Sequence, residues 1–600
     1  NFYRNLVKMP DLGDRPFISP LHSTNWRLIY TFKLEETFFE EGRVNYRIRL
    51  TPRNRDGPYF EGQIWIEDRT WAIKKVELAV LKRALAYYES FQIRHRYDRT
   101  ADNRRILGEE EYQYEIKEGR VRYRGSSVAI HSDYKLDIKL PKKFFKNESR
   151  KTSREAFEKD EAYWDKIRPM GLGQDKMEKQ FIHEKDSINQ YFASKEYIQK
   201  VDSGYNHIGI ASVLFNGIQH RDRIKGYDWY FFPLIEQIQP LGVGGYRHRL
   251  GADVTKIFKR GYRVGVGGEI DYGFANKDVK GNFNIRYTYN PKKFASASIR
   301  YGNEYTMIND FETIRAIFSR GNFLNRINYG LTHRMEVANG WRVAVKMDFS
   351  DYQAIDNIEL SQWSQSLFGE INAPPSFDPF REFKVGIEVR YTPFQKYQME
   401  PFRKIILGSK WPTFLLNYKS SIPGVFGSEM DFHFLELGLD HEFKPGAWGN
   451  SRWAVRTGRF LSSKNVRFTD FKFFRGADPI LFFNPLEAFQ SLGPTISTKN
   501  AYFRANYLHD FGGLLLDKVP LIKRTPLMAS GGAGILLIED GSFLHSEVFV
   551  GLQWPFRIRR QRFKVGGYYV TSYSNQENAI GAQWKIGVSF YNEIRRRWDY

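Results

Sequence analysis

Twelve histidines and 69 acidic residues are the side chains here best suited to acid–base or metal chemistry, and neither set is spaced for it. His131, His183, His207 and His220 stand too far apart to form a ligand set. There is no cysteine, which removes disulfide scaffolds, zinc ribbons, thiol nucleophiles and thiolate-held clusters. No nucleophile elbow, phosphate loop or dinucleotide fingerprint falls in a fitting context. The glycine-rich stretches Gly242 to Arg247 and Gly265 to Glu269 sit inside strand-like runs, where glycine relieves crowding at a tilted wall. Charged pairs such as Arg342 with Asp348 read as wall lining. The expectation is a protein that is not an enzyme, with no catalytic residue, no metal and no cofactor.

Lys and Arg total 91 in 600 residues, so the net charge is +22. These cations do not gather in one arm or helix; they alternate with aromatic and β-branched residues over hundreds of positions, so nucleic acid is not an expected partner. No apolar run approaches the ~18–20 residues of a membrane-spanning helix. Aromatic residues make up 16% of the chain, which argues against bulk disorder. The first residue is Asn, which suggests a mature or trimmed product.

The elements that must hold these side chains are strands. From Tyr262 to Phe274, the residues Tyr262, Val264, Val266, Ile270, Tyr272 and Phe274 share one side. Arg263, Gly265, Gly267, Glu269, Asp271 and Gly273 share the other, as a strand's period of two requires. The same two walls recur over Phe283–Tyr289, Trp341–Phe349, Phe383–Tyr391, Leu435–Leu439 and Trp584–Phe590. A soluble antiparallel sandwich alternates in the same way. Strands of ten or more residues, aromatic residues at their ends, and polar faces mixing full charges with glycine favour a transmembrane barrel with a hydrated lumen.

Candidate strands begin near Asp228, Val243, Tyr262, Lys280, Phe294, Asn322, Trp341, Phe383, Trp411, Asp431, Ser451, Thr498, Met528, His545, Arg562 and Gly581, about sixteen in all. His207–Phe215 competes for the first. With the C-terminus in the periplasm, the turns at Lys259–Gly261, Asn290–Lys293, Glu336–Gly340 and Lys444–Gly449 are short and inner. The connections Glu304–Gly321, Asp351–Glu382 and Lys464–Ser497 are long and outer, with Phe511–Leu527 as a long inner exception.

Ahead of this lie an N-terminal antiparallel β domain (1–135), expected in the periplasm, and a charged helical linker (136–205). Ser153 can cap a helix through Ala156, Phe157 and Tyr163, and Gln174–Ser194 can form a second. The barrel then occupies 206–600. Arg49 to Leu78 resembles the periplasmic lipoprotein-carrier half-barrels, whose concave face can hold an acyl chain. A packed sheet without ligand is the simpler reading.

Two stretches, Asp160–Phe181 and Asn506–Arg524, resemble an uncharacterised family of Bacteroidota outer-membrane barrels, often with a carboxypeptidase-regulatory-like N-terminal domain. The resemblance implies location and fold, not activity. Phe471–Pro479 further resembles the Arg-Gly tip of the sixth outer loop in BamA- and TamA-type surface-antigen barrels. That resemblance implies that Arg475, beside Gly476, folds into the lumen and pairs with an inner-wall acid such as Glu436 or Asp440. Here the sequence departs from the pattern, with Ala477 where an aromatic is usual. Lys585, Gly587 and Phe590 resemble an outer-membrane insertion signal, although ten residues follow Phe590.

The expected function is an outer-membrane barrel acting as an accessory, scaffold or transport component in envelope biogenesis, for protein or lipid export or assembly. A passive pore for small solutes is the alternative. Expected partners are outer-membrane lipid, lipopolysaccharide and other envelope proteins.

Overall fold

Period-two alternation becomes pleated sheet along most of the chain. The structure, a computed structural model, describes residues 2, 6, 7, 9, 12, 17–21, 26–53, 57–85, 88–118, 121–141, 144, 146–157, 159–167, 190–309, 322–355, 374–445, 448–476, 478, 480–492, 496–513, 515, 516, 519, 522, 525–539, 542–558, 561–576, 581–592 and 597–599. It is all-β, with large antiparallel sheets and short helices.

In chain order the strands are β1 (Leu6–Val7), β2 (Phe17–Ile18), β3 (Tyr30–Glu40), β4 (Arg43–Pro52), β5 (Phe60–Glu67), β6 (Ile73–Val80), β7 (Tyr88–Arg99), β8 (Arg105–Glu118), β9 (Val121–Ile130), β10 (Glu148–Lys151), β11 (Ile218–Asp222), β12 (Tyr227–Phe231), β13 (Ile238–Gly242), β14 (Gly245–Ile257), β15 (Arg263–Gly273) and β16 (Asp278–Asn290). There follow β17 (Ala295–Met307), β18 (Phe323–Ala338), β19 (Trp341–Gln353), β20 (Phe380–Tyr391), β21 (Lys396–Met399), β22 (Lys404–Gly408), β23 (Thr413–Ser421), β24 (Asp431–Phe443), β25 (Asn450–Asn465), β26 (Lys472–Phe474), β27 (Ile496–Thr498), β28 (Tyr502–Gly512), β29 (Met528–Ile538), β30 (Phe543–Ile558), β31 (Gln561–Ser574), β32 (Gln583–Asn592) and β33 (Arg597–Asp599).

β3 to β9 form a seven-stranded meander in sequence order. Its apolar face carries Leu50, Ile64, Val76, Leu78 and Ile93, each at most 2% exposed, and Phe2, Val7, Leu12 and Phe17 cover that face. The face that a carrier half-barrel would offer to an acyl chain is thus packed by this chain's own N-terminal residues. His95 lies in the same core, 5.3 Å from Phe2 between ring centres.

The linker is partly helical, over Arg154–Phe157, Glu161–Ile167 and Lys195–Tyr205. Of the expected second helix, residues 174–189 lie outside the described residues. The helix at 195–205 is capped by Ser194, whose side chain accepts from the Tyr197 N–H at 3.1 Å. β10 pairs with the hairpin β21–β22, which tethers the linker to the connection between β20 and β23. A buried pair, Glu336 with Lys404, fastens that hairpin to the β18–β19 turn. Glu336 also accepts from Gln395 at 2.9 Å and from the Gly340 N–H at 3.1 Å.

The large sheet contains 19 strands, from β11 to β33, rather than about sixteen. Each expected strand is present; the additions are the short β11, β13 and β33. The beginning is broken because Pro233, which has no N–H to donate, starts a helical turn at Leu234–Gln237. β12 and β13 therefore share the edge of β14. His207–Phe215 is not a strand; a π-helical turn spans Ser212–Asn216. Among the described residues the two ends of the sheet are not paired with each other, so the expected closed cylinder is replaced by an open-ended wall. The turns after β14, β16, β18 and β24 are short and share one end. The long connections after β17, β19 and β25 share the other, although 310–321 and 356–373 lie outside the described residues.

Register sorts the outward face into bands. At the long-connection end, Tyr301, Tyr329, Phe349 and Phe383 lie directly opposite one another on β17 to β20. At the short-turn end, Trp341, Tyr391 and Phe414 form a second row, with Trp341 and Tyr391 stacked 4.1 Å apart. Between the rows, outward residues such as Ile299, Leu331 and Met347 are aliphatic and exposed. On β19 the rows are separated by roughly 27 Å along the strand at 3.4 Å per residue.

Candidate functional site

The opposite face of the large sheet carries the polar residues, and the β25–β28 connection is folded against it. This one segment touches strands from β20 to β32, so the sheet curls around it. Asp470 takes Lys384 of β20. Lys472 pairs with Glu436 of β24 at 2.5 Å, and Tyr502 of β28 donates to the same carboxylate. Phe474, Phe489 and Leu492 complete an apolar core with Phe432, Phe434, Leu536 and Phe543 from the wall.

The strongest anchor is Glu547 on β30, only 3% exposed. It accepts from the backbone N–H groups of Gln490 at 2.8 Å and Ser491 at 2.9 Å, and from the Ser491 hydroxyl at 3.0 Å. His545 Nε2 lies 3.4 Å away. Several donors converging on one side chain is the arrangement that makes a buried carboxyl group tolerable. Beside it, Phe482 stacks flat on Tyr568 of β31, with ring centres 3.7 Å apart.

The segment also reaches the edge of β32. The Phe482 N–H donates to the Ile586 carbonyl at 2.9 Å, and the Ile586 N–H donates to the Ile480 carbonyl at 2.9 Å. Leu481 stands in register with the outward Ile586 and shares its side of the sheet, while Phe482 is buried on the inner side against Tyr568. These three residues thus run as a short parallel stave along β32.

The expected pairing of Arg475 with Glu436 or Asp440 is not what this arrangement holds. Lys472 and Tyr502 occupy Glu436, and Arg456 takes Asp440 at 2.6 Å. The Arg475 guanidinium instead lies 4.4 Å above the Phe483 ring, and its carbonyl accepts from the Phe489 N–H at 3.1 Å. Gly476 is buried beside it. The loop is pinned in the expected electrical sense but by other groups: the wall supplies the acids Glu547 and Glu436, and the loop supplies backbone donors and Lys472.

Of the residues grouped as an insertion signal, two face inward and one outward. Lys585 is 1% exposed and donates to the Asp478 carbonyl of the loop. Gly587 leaves the space that Phe482 uses: a Cβ there would stand 2.8 Å from Tyr568 Cε2 and 3.1 Å from Phe482 Cβ. Phe590 points outward, 46% exposed. Beyond it, Arg597–Asp599 turns back to pair with β32.

Sequence reading alone missed Glu547, Asp478 and the inward work of Lys585. The available signal was the β30 face His545, Glu547, Phe549, Gly551 and Gln553, where a single acid stands among small and aromatic residues. Among the described residues no group of three His, Asp or Glu could hold a metal, and no helix is long and apolar enough to cross a membrane.

Residues 211–552 match the C-terminal domain of the Family of unknown function (DUF5686), and residues 1–134 match the Family of unknown function (DUF5686) itself. No curated protein matches the chain. Among solved structures it is similar to BamA from Haemophilus ducreyi lacking POTRA domains 1–3, at 12% identity over 58% of this chain and 68% of that one, with a TM-score of 0.35. It is also similar to Wzi of Escherichia coli, a carbohydrate-binding β-barrel involved in group 1 capsule assembly, at 7% identity over 59% and 76%, with a TM-score of 0.28. A Rhodopseudomonas blastica porin mutant follows, at 11% identity over 60% and 97%, with a TM-score of 0.26.

Proposed function

From the premise that this chain belongs to the Family of unknown function (DUF5686), we propose that its large sheet is a barrel-type wall spanning the bacterial outer membrane. The N-terminal sheet and linker then lie in the periplasm. The observation that carries this reading is the pair of aromatic rows bounding an exposed aliphatic band, set against an inward face of charges and buried loop. Such a surface is costly in water and suited to hydrocarbon between two interfaces.

Within that reading the protein is an accessory, scaffold or transport component of envelope biogenesis, in contact with outer-membrane lipid, lipopolysaccharide and other envelope proteins. It is not an enzyme. A passive pore is disfavoured by the connection packed into the interior and held by Glu547, Lys585 and the Phe482–Tyr568 stack. The test has two parts. The purified chain is expected to need a surfactant to stay dispersed, and reconstituted in planar bilayers it is expected to show no stable open step. Dispersal in plain buffer would remove the membrane reading; a steady conductance would favour the pore.

A further inference from the structure

The inward face of the large sheet differs from end to end in how its charges are balanced. Toward the long-connection end, cations are matched by acids. Arg247 donates to Asp271 at 2.9 Å and to Asp278 at 2.8 Å, Arg249 pairs with Glu269 at 3.4 Å, and Arg300 pairs with Glu304. Toward the short-turn end the matching fails. Arg286, Arg334, Arg342, Lys346, Arg390 and Lys419 all stand on the inward face of β16, β18, β19, β20 and β23. Only Lys346 has a carboxylate within bonding distance, Glu388 at 2.5 Å. Among the described residues the other five have no hydrogen-bond or ion-pair partner, and Arg342 rests 4.6 Å over the Phe294 ring.

Register sharpens the imbalance. Arg342 lies directly opposite Arg390, a like-charge pair that destabilises a sheet when nothing stands between, and the acid opposite it on β18, Glu336, is paired with Lys404. Arg334 and Arg390 both come within electrostatic reach of Glu388, so one carboxylate is shared by several cations. The flanking positions are small. Arg286 stands between Gly265 and Ser298, Arg334 between Ser296 and Ala344, and Lys346 between Thr332 and Gly386. The long cationic side chains therefore have room to converge on a guest in the interior. On β20 the band lies on the short-turn side of Lys384, where Asp470 of the packed connection binds.

We propose that this band is a binding site for a multiply charged, phosphate-bearing anion that enters from the short-turn end. Guanidinium forks match phosphate oxygens two at a time, and a guest of several negative charges offsets what a single carboxylate cannot. The assignment names the chemistry of what the wall handles, and so rests on the membrane-wall reading above.

The full chain in detergent micelles, titrated calorimetrically with inorganic tripolyphosphate at ionic strength matched by sodium chloride, is the first arm. Mixed micelles carrying a diphosphorylated glycolipid are the second. Saturable binding is expected in at least one arm: in the first for a free phosphate, in the second alone for a lipid headgroup. Arg334→Gln with Arg390→Gln should weaken that binding about tenfold or more. Lys292→Gln with Lys293→Gln, on the β16–β17 turn, should leave it within about twofold. No saturable binding in either arm, or equal weakening by both double variants, overturns the site. Whether the same preparation needs surfactant separates the two readings. A surfactant-dependent protein that binds no anion sinks only the band, whereas dispersal in plain buffer sinks the wall reading itself.

Discussion

Glu547 is buried where little water reaches it, and two backbone N–H groups and one hydroxyl from the loop turn toward it. Glu547→Ala would strand those donors in an apolar interior, at about 1–3 kcal/mol each. Proteolysis of the 467–492 segment is expected to accelerate strongly. Arg475→Ala removes only a cation over the Phe483 ring, worth about 1 kcal/mol, so protease resistance should barely change. Equal sensitivity of the two variants would contradict this ranking. His95 makes the second residue-scale prediction. Burial among Phe2, Tyr97 and Tyr112 pushes its pKa down to about 4, with Glu110 opposing more weakly. Above the ordinary value of 6.5 the imidazole is neutral folded or unfolded. As pH falls from there toward 4 only the unfolded chain takes the proton, so up to about 3 kcal/mol of stability drains from the N-terminal sheet. Protection factors of the β7 and β8 amides, corrected for the intrinsic pH dependence of exchange, should fall between pH 7 and pH 4.5, and His95→Leu should flatten that dependence.

At the scale of elements, the wall was legible and the filling was not. Strand positions follow from a period-two pattern that each strand carries by itself, so starts such as Tyr262, Trp341 and Asp431 fall on β15, β19 and β24. The route of the β25–β28 connection depends on which distant side chains it meets, and nothing local encodes that. Arg475 was expected to be the anchor because Phe471–Pro479 resembles the Arg-Gly loop tip of surface-antigen barrels. Backbone N–H groups at Gln490 and Ser491 are identical in every residue but proline and so leave no mark. Lys585 and Gly587 illustrate the same limit: their spacing was visible, but Gly587 is needed for the close approach of Phe482. Gly587→Leu should expel Phe482 from its stack, and hydrogen exchange at Phe482 and Ile586 should rise together. At the other end, Lys404→Ala would leave Glu336 buried without its cation, a loss of about 3–5 kcal/mol. The β21–β22 hairpin should detach and expose residues 395–408 to protease, while the aromatic rows stay in place.

For the whole molecule, in the proposed membrane reading, an aliphatic band between aromatic rows sets depth, and the packed interior sets permeability. Loss of the Trp341–Tyr391 stack by Trp341→Ser should shift the protein's preferred bilayer thickness, read as reduced insertion into thick-chain vesicles and little change in thin ones. The stave at Ile480–Phe482 has a consequence for anything that moves through such a body. These residues are at once the stopper's side and part of the hull, since Leu481 shares the outward side of Ile586 while Phe482 faces the interior. Drawing the stopper out would therefore unzip the flank of β32 in the same motion. A cargo freed that way would find a sideways slit toward the surrounding lipid as well as a passage along the axis.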